Sequence, residues 1–442
     1  MDALKSFRVL LLLAAWGLAV AQVVTWGEWP WIGNLGGAIF ITYLILTLPY
    51  LKRDSVLIIG FITLLGFLFV REMPAAEIWQ GGSRFILIFA GLVPTMALVK
   101  ATAMTMPSVQ RTQRELANLP AESSAAGLQL AGHAFGGIIN TGTFAILSAA
   151  LPPDSSFERR RLSAMATLRG MNAAAVWSPF FVAFAIGQSF TGAQASWQAI
   201  GYGVLTALIF TIASLFVFTP GLTFGIIRQS LACLKPVSLR LFTVLFSVLA
   251  VALVLNFTAL SAVVAVMPVL VVIQFFRQPQ FIRRILDDTH HSIRGMADDL
   301  VVIGSAMMLG YLVTRTDAIS QIMIYMPTDT FPAAVALIAT PVLMMLSSVI
   351  GIHPVISSTI LLALFSGSGS SAHPALLMQS HLIGWAAGTM TSFSSLSVVL
   401  VGELFRLPTS VLSAGRNLWA SGGLAFVGGG LWAAVWLLAG QI

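Results

Sequence analysis

Charge is scarce in this chain. Asp, Glu, Lys and Arg make up 9% of its 442 residues, against roughly 25% in a soluble domain, so a water-soluble fold of this length is excluded. The lone cysteine, Cys233, rules out an intramolecular disulfide framework and a thiolate metal cluster. Carboxylates are missing from the middle of every long apolar run, which argues against an acidic proton relay or a dedicated cation pump. The net charge of +7 does not point to nucleic acid, because the cations sit in short loops between apolar segments.

Apolar residues fill the space that charge leaves. They account for 57% of the chain, and the mean hydropathy is +0.92. Many windows reach the roughly 20 apolar residues needed to cross a bilayer. The reading is an all-α polytopic membrane protein embedded in the lipid bilayer. Eleven crossings are expected at 7–24, 32–50, 56–70, 85–104, 162–190, 197–218, 241–255, 260–276, 300–314, 375–401 and 418–439. The first apolar stretch has basic flanks at Lys5 and Arg8, yet no small-residue cleavage site precedes Trp26, so it is expected to remain as a helix. Trp26, Trp29, Trp31 and Trp79 suit an aromatic belt at one membrane face, while Lys52 and Arg53 mark the other.

Two stretches interrupt this pattern. One is Gly136-Gly137-Ile138-Ile139-Asn140-Thr141-Gly142-Thr143, the other Gly351-Ile352-His353-Pro354-Val355-Ile356-Ser357-Ser358-Thr359. Polar side chains and flexible backbone at membrane depth are costly unless they line a protected cavity. Each stretch is therefore read as the tip of a re-entrant hairpin, over 125–151 and 333–365. Charge supports the first hairpin. A single crossing there would place Arg159, Arg160 and Arg161 outside, against the retention of basic residues in the cytoplasm. A hairpin returns to its starting side. With both hairpins, every Lys and Arg except Arg71, Arg84, Arg169 and Arg315 is placed on the cytoplasmic side, and the N-terminus with them.

The order crossing, hairpin, broken crossing recurs at a nearly constant spacing. Asn140 and His353 lie 213 apart, and Ser178 and Ser392, Leu98 and Leu312, Thr102 and Thr316 each lie 214 apart. The expected topology runs 85–104 inward and 300–314 outward, so the repeats are inverted and opposed. Such repeats hold their site near the membrane midplane. A helix broken there leaves N–H groups that attract anions and C=O groups that coordinate cations.

Candidate substrate- and ion-binding groups are Asn140, Thr141 and Thr143 at the first tip, and His353, Pro354, Ser357, Ser358 and Thr359 at the second. The broken crossings add Asn172 and Ser178, then Thr389, Thr391, Ser392, Ser394 and Ser395. Asn140, Thr141 and Ser357 are the candidate Na⁺ ligands; no other cofactor is expected. Against each hydroxyl stands the ordinary alternative, a hydrogen bond to its own helix backbone. His353 could meet an anion when protonated, carry a coupling proton, or stay neutral and donate to a carbonyl. His133 and His381 are weaker candidates. Arg169 is expected to snorkel to the cytoplasmic interface rather than steer anions.

With Asn140-Thr141 at the first tip, the hairpin and broken-helix pattern resembles the divalent anion/sodium symporters of the ion transporter superfamily. From about residue 85 onward that resemblance implies eleven crossings, two opposed hairpins, a homodimer and elevator motion. Tips in that family carry Ser-Asn-Thr for sodium and carboxylate. Asn140 and Thr141 match its last two positions, Ile139 stands where Ser is expected, and the second tip reads Gly351-Ile352-His353-Pro354. The implied organisation is 1–84 as scaffold and dimerisation part, 85–218 as repeat 1, 219–299 as linker and helix pair, and 300–442 as repeat 2. The implied function is a secondary active transporter, not an enzyme, moving a small carboxylate-like anion with Na⁺ or H⁺ across a bacterial inner (plasma) membrane. Two alternatives stand beside it. One is a membrane subunit that needs a partner. The other is an intramembrane hydrolase using Ser366-Gly367-Ser368-Gly369-Ser370-Ser371-Ala372-His373, although Gly and Ser are ordinary in a linker.

Overall fold

The computed structural model describes residues 2–70, 73–152, 154–315, 331–366, 370–393 and 395–439. Arg71, Thr316, Ser394 and the stretch 367–369, including Ser368, lie outside the described residues. Helices dominate: α1 (Asp2–Val24), α2 (Pro30–Thr47), α3 (Arg53–Val70), α4 (Ser83–Thr105), α5 (Pro107–Ala117), α6 (Ala121–Ile139) and α7 (Gly142–Ser148). The chain continues with α8 (Phe157–Ala175), α9 (Val182–Thr191), α10 (Ala193–Phe218), α11 (Phe224–Ala232), α12 (Lys235–Leu255), α13 (Ala259–Arg277) and α14 (Ile282–Gly295). It ends with α15 (Ala297–Arg315), α16 (Ala333–Val349), α17 (Pro354–Phe365), α18 (Pro374–Thr391), α19 (Leu396–Phe405), α20 (Thr409–Ser413) and α21 (Arg416–Ala439).

Eight helical segments among the described residues are long and apolar enough to cross a membrane, or nine with the pair Pro279–Gly295 and Ala297–Leu312, bent by 56°. This is an integral, polytopic, all-helical membrane protein. The expected crossings 56–70 and 162–190 are not in that set. The first is nonetheless helical as the 18-residue α3, whose stretch Ser55–Phe67 is apolar. The second stops at Ala175 and resumes only at Val182, and its first half carries Arg169 and Asn172 among small residues. The break follows from Pro179, which supplies no helical N–H.

The chain divides into two compact units, one of Met1–Thr102 with Ser247–Pro327, the other of Ala103–Phe246 with Thr328–Ile442. In the first unit, α1 packs on α2 and α13, and α15 packs on α2 and α3. Glycines bring α2 onto α4: a Cβ on Gly37 would lie 2.7 Å from Ser83, and one on Gly36 would lie 2.8 Å from Leu87. Trp26, Trp29 and Trp31 are exposed, and Trp26 Nε1 donates to Leu255 O at 3.2 Å.

The second unit holds both hairpins and both broken crossings. α6 turns at Asn140-Thr141 into α7, and α16 turns at 350–353 into α17. Both return toward their start. Ser371 N donates to Phe331 O at 3.2 Å and Ala333 N to Ser371 Oγ at 3.0 Å, which ties the two ends of the second hairpin together. Gln113 Nε2 donates to Ile146 O at 3.0 Å, joining the helix before the first hairpin to its second arm. The packing follows a two-fold pattern. Each first arm lies on the first half of the broken crossing that follows it, α6 on α8 and α16 on α18. Each second arm meets the second half of the other repeat's broken crossing, α7 with α19 and α17 with α9.

Glycine makes the first-arm contacts possible. A Cβ on Gly170 would run into the Gln129 carbonyl, and one on Gly384 would lie 2.8 Å from Pro341 Cα. These glycines are 214 residues apart, the spacing of the repeat. The structure also corrects the reading of 136–143 as one flexible tip. Gly136 and Gly137 lie inside α6, where a Cβ would sit 3.1 Å from Met171 Cα and 2.9 Å from the Trp177 ring. Gly132 and Gly136 form the small-residue face, at a spacing of four, on which α8 rests, while Gly137 makes room for the Trp177 ring.

Candidate functional site

The first turn is made by two residues. Asn140 closes α6 at φ +55 and ψ −134, its N–H bonded to Gly136 O at 3.2 Å. Such a conformation costs a non-glycine residue about 1–3 kcal/mol and persists only where its surroundings fix it. Here the broken crossing fixes it. Ser178 Oγ donates to Gly137 O at 2.7 Å and accepts from Phe180 N at 3.2 Å, while Asn140 Nδ2 reaches Phe180 O at 3.5 Å. Asn140 and Thr141 are half-buried. Thr143, one residue into α7, is fully buried, and its Oγ1 has no hydrogen-bond partner.

The second turn is longer and spends its polar groups differently. Gly351 takes φ +93 beneath the Phe393 ring, where a Cβ would lie 2.6 Å from Cζ. His353 is the N-cap of α17: its Nδ1 accepts from Val355 N at 3.2 Å, and Pro354 occupies the first helical position. An acceptor nitrogen must keep its lone pair, so this contact uses the neutral ring. His373-Pro374 opens α18 in the same way, with Nδ1 accepting from Ala375 N at 3.2 Å. Ser357 Oγ donates to Pro354 O at 3.3 Å and Thr359 Oγ1 to Val355 O at 2.9 Å. Ser348, just before the turn, is fully buried with an unpartnered Oγ.

The breaks meet each other. Thr389 Oγ1, on α18, lies 2.6 Å from Asn172 Oδ1 and 2.8 Å from Trp385 O, and Asn172 Nδ2 donates to Leu168 O at 2.9 Å. Thr391 Oγ1 donates to Ala387 O at 3.2 Å, an ordinary backbone bond, and Ser392 is fully buried and bonded. Ser395 caps α19, accepting from Val398 N at 3.2 Å, and donates to Thr389 O at 2.8 Å. The structure therefore joins Asn140 and Ser178 across the first hairpin and break, and Asn172 to Thr389 across the two breaks. Ser357, Thr359 and Thr391 turn back on their own helices.

Two histidines weakly indicated by sequence hold the hairpins in place. His381 is fully buried; Nε2 lies 2.9 Å from Ala183 O and Nδ1 lies 3.1 Å from Ser358 Oγ. A carbonyl only accepts, so Nε2 carries the proton and the Ser358 hydroxyl donates to Nδ1. One ring thus links α17, α18 and α9. His133 does the same in the first repeat, accepting from Trp177 Nε1 at 3.1 Å and bonding Thr211 Oγ1 at 3.0 Å through Nδ1.

Arg169 does not snorkel. It is 3% exposed, with Nε donating to Gln129 Oε1 at 3.1 Å and Nη1 to Asn417 Oδ1 at 2.8 Å, and its guanidinium lies 4.8 Å from the centre of the Phe218 ring. Gln129 Nε2 in turn donates to Ser214 Oγ at 2.6 Å, and Asn417 Nδ2 to Met165 O at 3.2 Å. Among the described residues Arg169 has no ion pair. The charge is held by amide oxygens and an aromatic face because α6, α10 and α21 enclose it, and those neighbours come from distant parts of the chain.

No protein-family model matches the chain, and no curated protein matches it in sequence. Among solved structures it is similar to the YdaH transporter of Alcanivorax borkumensis, at 15% identity and a TM-score of 0.43, over 88% of this chain and 99% of that one.

The chemistry on offer is neutral. Among the described residues no three His, Cys, Asp or Glu side chains cluster as metal ligands. What surrounds the first tip is hydroxyl and amide oxygen together with the end of α6, where Gly136 O accepts from Asn140 N and Gly137 O from Ser178 Oγ, and the carbonyls of Ile138 and Ile139 lie beyond the last helical donor. Such a donor set suits a monovalent cation, or donates to the oxygens of an anion.

Proposed function

We propose that the protein is a secondary active transporter of a small carboxylate-like organic anion, coupled to Na⁺ or H⁺ and working by elevator alternating access. The observation that supports this reading most is the second unit. There, each of two hairpins is docked on a broken crossing, and the two breaks are bonded through Asn172 and Thr389. Irregular backbone at membrane depth is stable where it lines a cavity, and repeats of this kind place substrate at their interface. In this reading Asn140, Thr141 and Thr143 serve the coupling ion, Asn172 and Thr389 sit beside the substrate, and the caps His353 and Pro354 fix the second tip. The first unit acts as scaffold and the active form is a homodimer in a bacterial inner membrane.

The test is uptake into proteoliposomes of purified protein, screened over small carboxylates with imposed Na⁺ and H⁺ gradients. Uptake that follows one gradient and fails in Asn140→Ala is the expected result. Uptake indifferent to both gradients would remove coupling, and an unaffected Asn140→Ala would remove the first tip from the site. Transport seen only when a second protein co-purifies would favour the partner-dependent subunit.

A further inference from the structure

The first unit contains a cavity of about 170 Å³ between α1, α2, α14 and α15, and two of the side chains that line it are arginines. Arg8 comes from α1 and Arg294 from the end of α14; Tyr43, Tyr50, Leu12 and Ile293 also line it. Neither arginine has an ion pair among the described residues. The Arg8 guanidinium stacks 4.6 Å from the centre of the Tyr50 ring, and its Nε is buried without a hydrogen-bond partner. A nearby acid is already engaged, since Asp298 Oδ2 accepts from Lys52 N and Ser55 Oγ, both at 3.0 Å.

Position narrows the occupant. The cavity lies at the ends of the crossings Ser6–Val24 and Pro30–Tyr50 and at the start of Ala297–Leu312, the depth at which lipid headgroups sit. α14 has a buried face of Ile285, Thr289 and Ile293 and an outer face carrying Arg283 and Arg284, as expected of a helix lying along a membrane surface. Guanidinium forks match phosphate oxygens, tyrosine hydroxyls can donate to them, and basic pockets between crossings on the cytoplasmic side hold anionic headgroups. We infer that this cavity binds the phosphate of an anionic phospholipid, with Arg8 and Arg294 as its charged ligands and the acyl chains leaving past the apolar lining.

The experiment uses the full chain in detergent. Thermal stabilisation is titrated with phosphatidylglycerol, with phosphatidylcholine of the same acyl chains, and with inorganic phosphate and glycerol phosphate. Phosphatidylglycerol should stabilise the wild type while phosphatidylcholine does not. Arg8→Gln/Arg294→Gln should weaken the response at least about tenfold, and Arg284→Gln, exposed on the same helix and outside the cavity, should leave it unchanged. Equal stabilisation by the choline lipid, or a double variant that responds as wild type, overturns the site. Inorganic phosphate as effective as the lipid, and lost in the double variant, would reassign the cavity to a soluble phosphate. Mass spectrometry of lipid bound to the purified wild type needs no variant. Enrichment of anionic lipid over the source membrane supports the inference, and no enrichment counts against it.

Discussion

The first hairpin turns within two residues and holds an asparagine at positive φ; the second takes 350–353, places a glycine at positive φ and closes with a histidine cap. Their first arms rest on the same surface of equivalent helices, through Gly170 in one case and Gly384 in the other. Behind the first lies the buried cation Arg169 with Gln129; at the repeat-equivalent position of the second, 214 residues on, lies Ile383, fully buried. Backbone approach is the feature that repeats. Side-chain chemistry is the feature that does not. Two halves under the same geometric constraint have kept their glycines in register while their polar groups diverged, which suits a site whose halves meet different ligands.

The largest test of that comparison is steric. Gly170→Ala drives a Cβ into the Gln129 carbonyl, and Gly384→Ala brings one against Pro341 and Met344; overpacking of this kind costs about 1–3 kcal/mol. Gly170→Ala should be the worse of the two, because its nearest neighbours are all backbone and the first of them is closer, whereas at Gly384 the Met344 side chain can give way. Gly422→Ala, with nothing within 4 Å of its Cβ, should instead stabilise α21 by roughly 0.5–1 kcal/mol. Melting temperatures in detergent read all three, and equal melting of wild type and Gly170→Ala would refute the close approach.

Replacing the asymmetric charge comes next. Arg169→Ile gives the first repeat the residue of the second, but leaves the amide oxygens of Gln129 and Asn417 without their donor, at about 1–3 kcal/mol for a buried orphan. Adding Gln129→Leu and Asn417→Leu should recover part of the loss, since the two orphaned amide oxygens go with their donor, while Ser214 Oγ and Met165 O lose only one bond each. A triple variant no more stable than Arg169→Ile would show that the network is not what holds the charge.

The two histidine caps supply an internal control of smaller size. His353→Ala and His373→Ala should each cost about 1 kcal/mol, the loss of an N-cap, and Asn at either position should restore it. If the second tip also faces substrate, uptake falls in His353→Ala and not in His373→Ala. Equal uptake in both would leave His353 a cap and nothing more.

The helical, membrane-embedded fold was legible from hydropathy alone. The first hairpin was legible because Arg159–Arg161 could not be reconciled with a single crossing, the second because 351–359 interrupts an apolar run at the repeat spacing, and the break at 176–181 because Pro179 interrupts another. Less legible was the use to which polar residues are put. His353 and His373 share a His-Pro dipeptide that is a helix-start signal, readable by position and easily mistaken for chemistry. Arg169 looked like a snorkelling residue because its partners, Gln129 and Asn417, lie on segments far apart in sequence. Gly132 and Gly136 were spaced as a packing face, and that signal was masked by reading glycine beside a tip as flexibility.

The finest discrimination between the hairpins lies in two hydroxyls. Thr143 and Ser348 flank the two turns, both fully buried, both without a hydrogen-bond partner. A buried polar atom left unpaired costs about 1–3 kcal/mol, so Thr143→Val and Ser348→Ala should leave the ion-free protein as stable as wild type or slightly more so. Were either hydroxyl already satisfied, its variant would melt lower. The informative measurement is the shift in melting temperature on exchanging choline for Na⁺. A coupling ion seated at the first tip makes that shift disappear in Thr143→Val and persist in Ser348→Ala. The reverse pattern moves the ion to the second tip, and loss in both places one oxygen of the site in each half. Because neither variant disturbs a bond present without the ion, a lost shift reports the ion itself rather than a weakened fold.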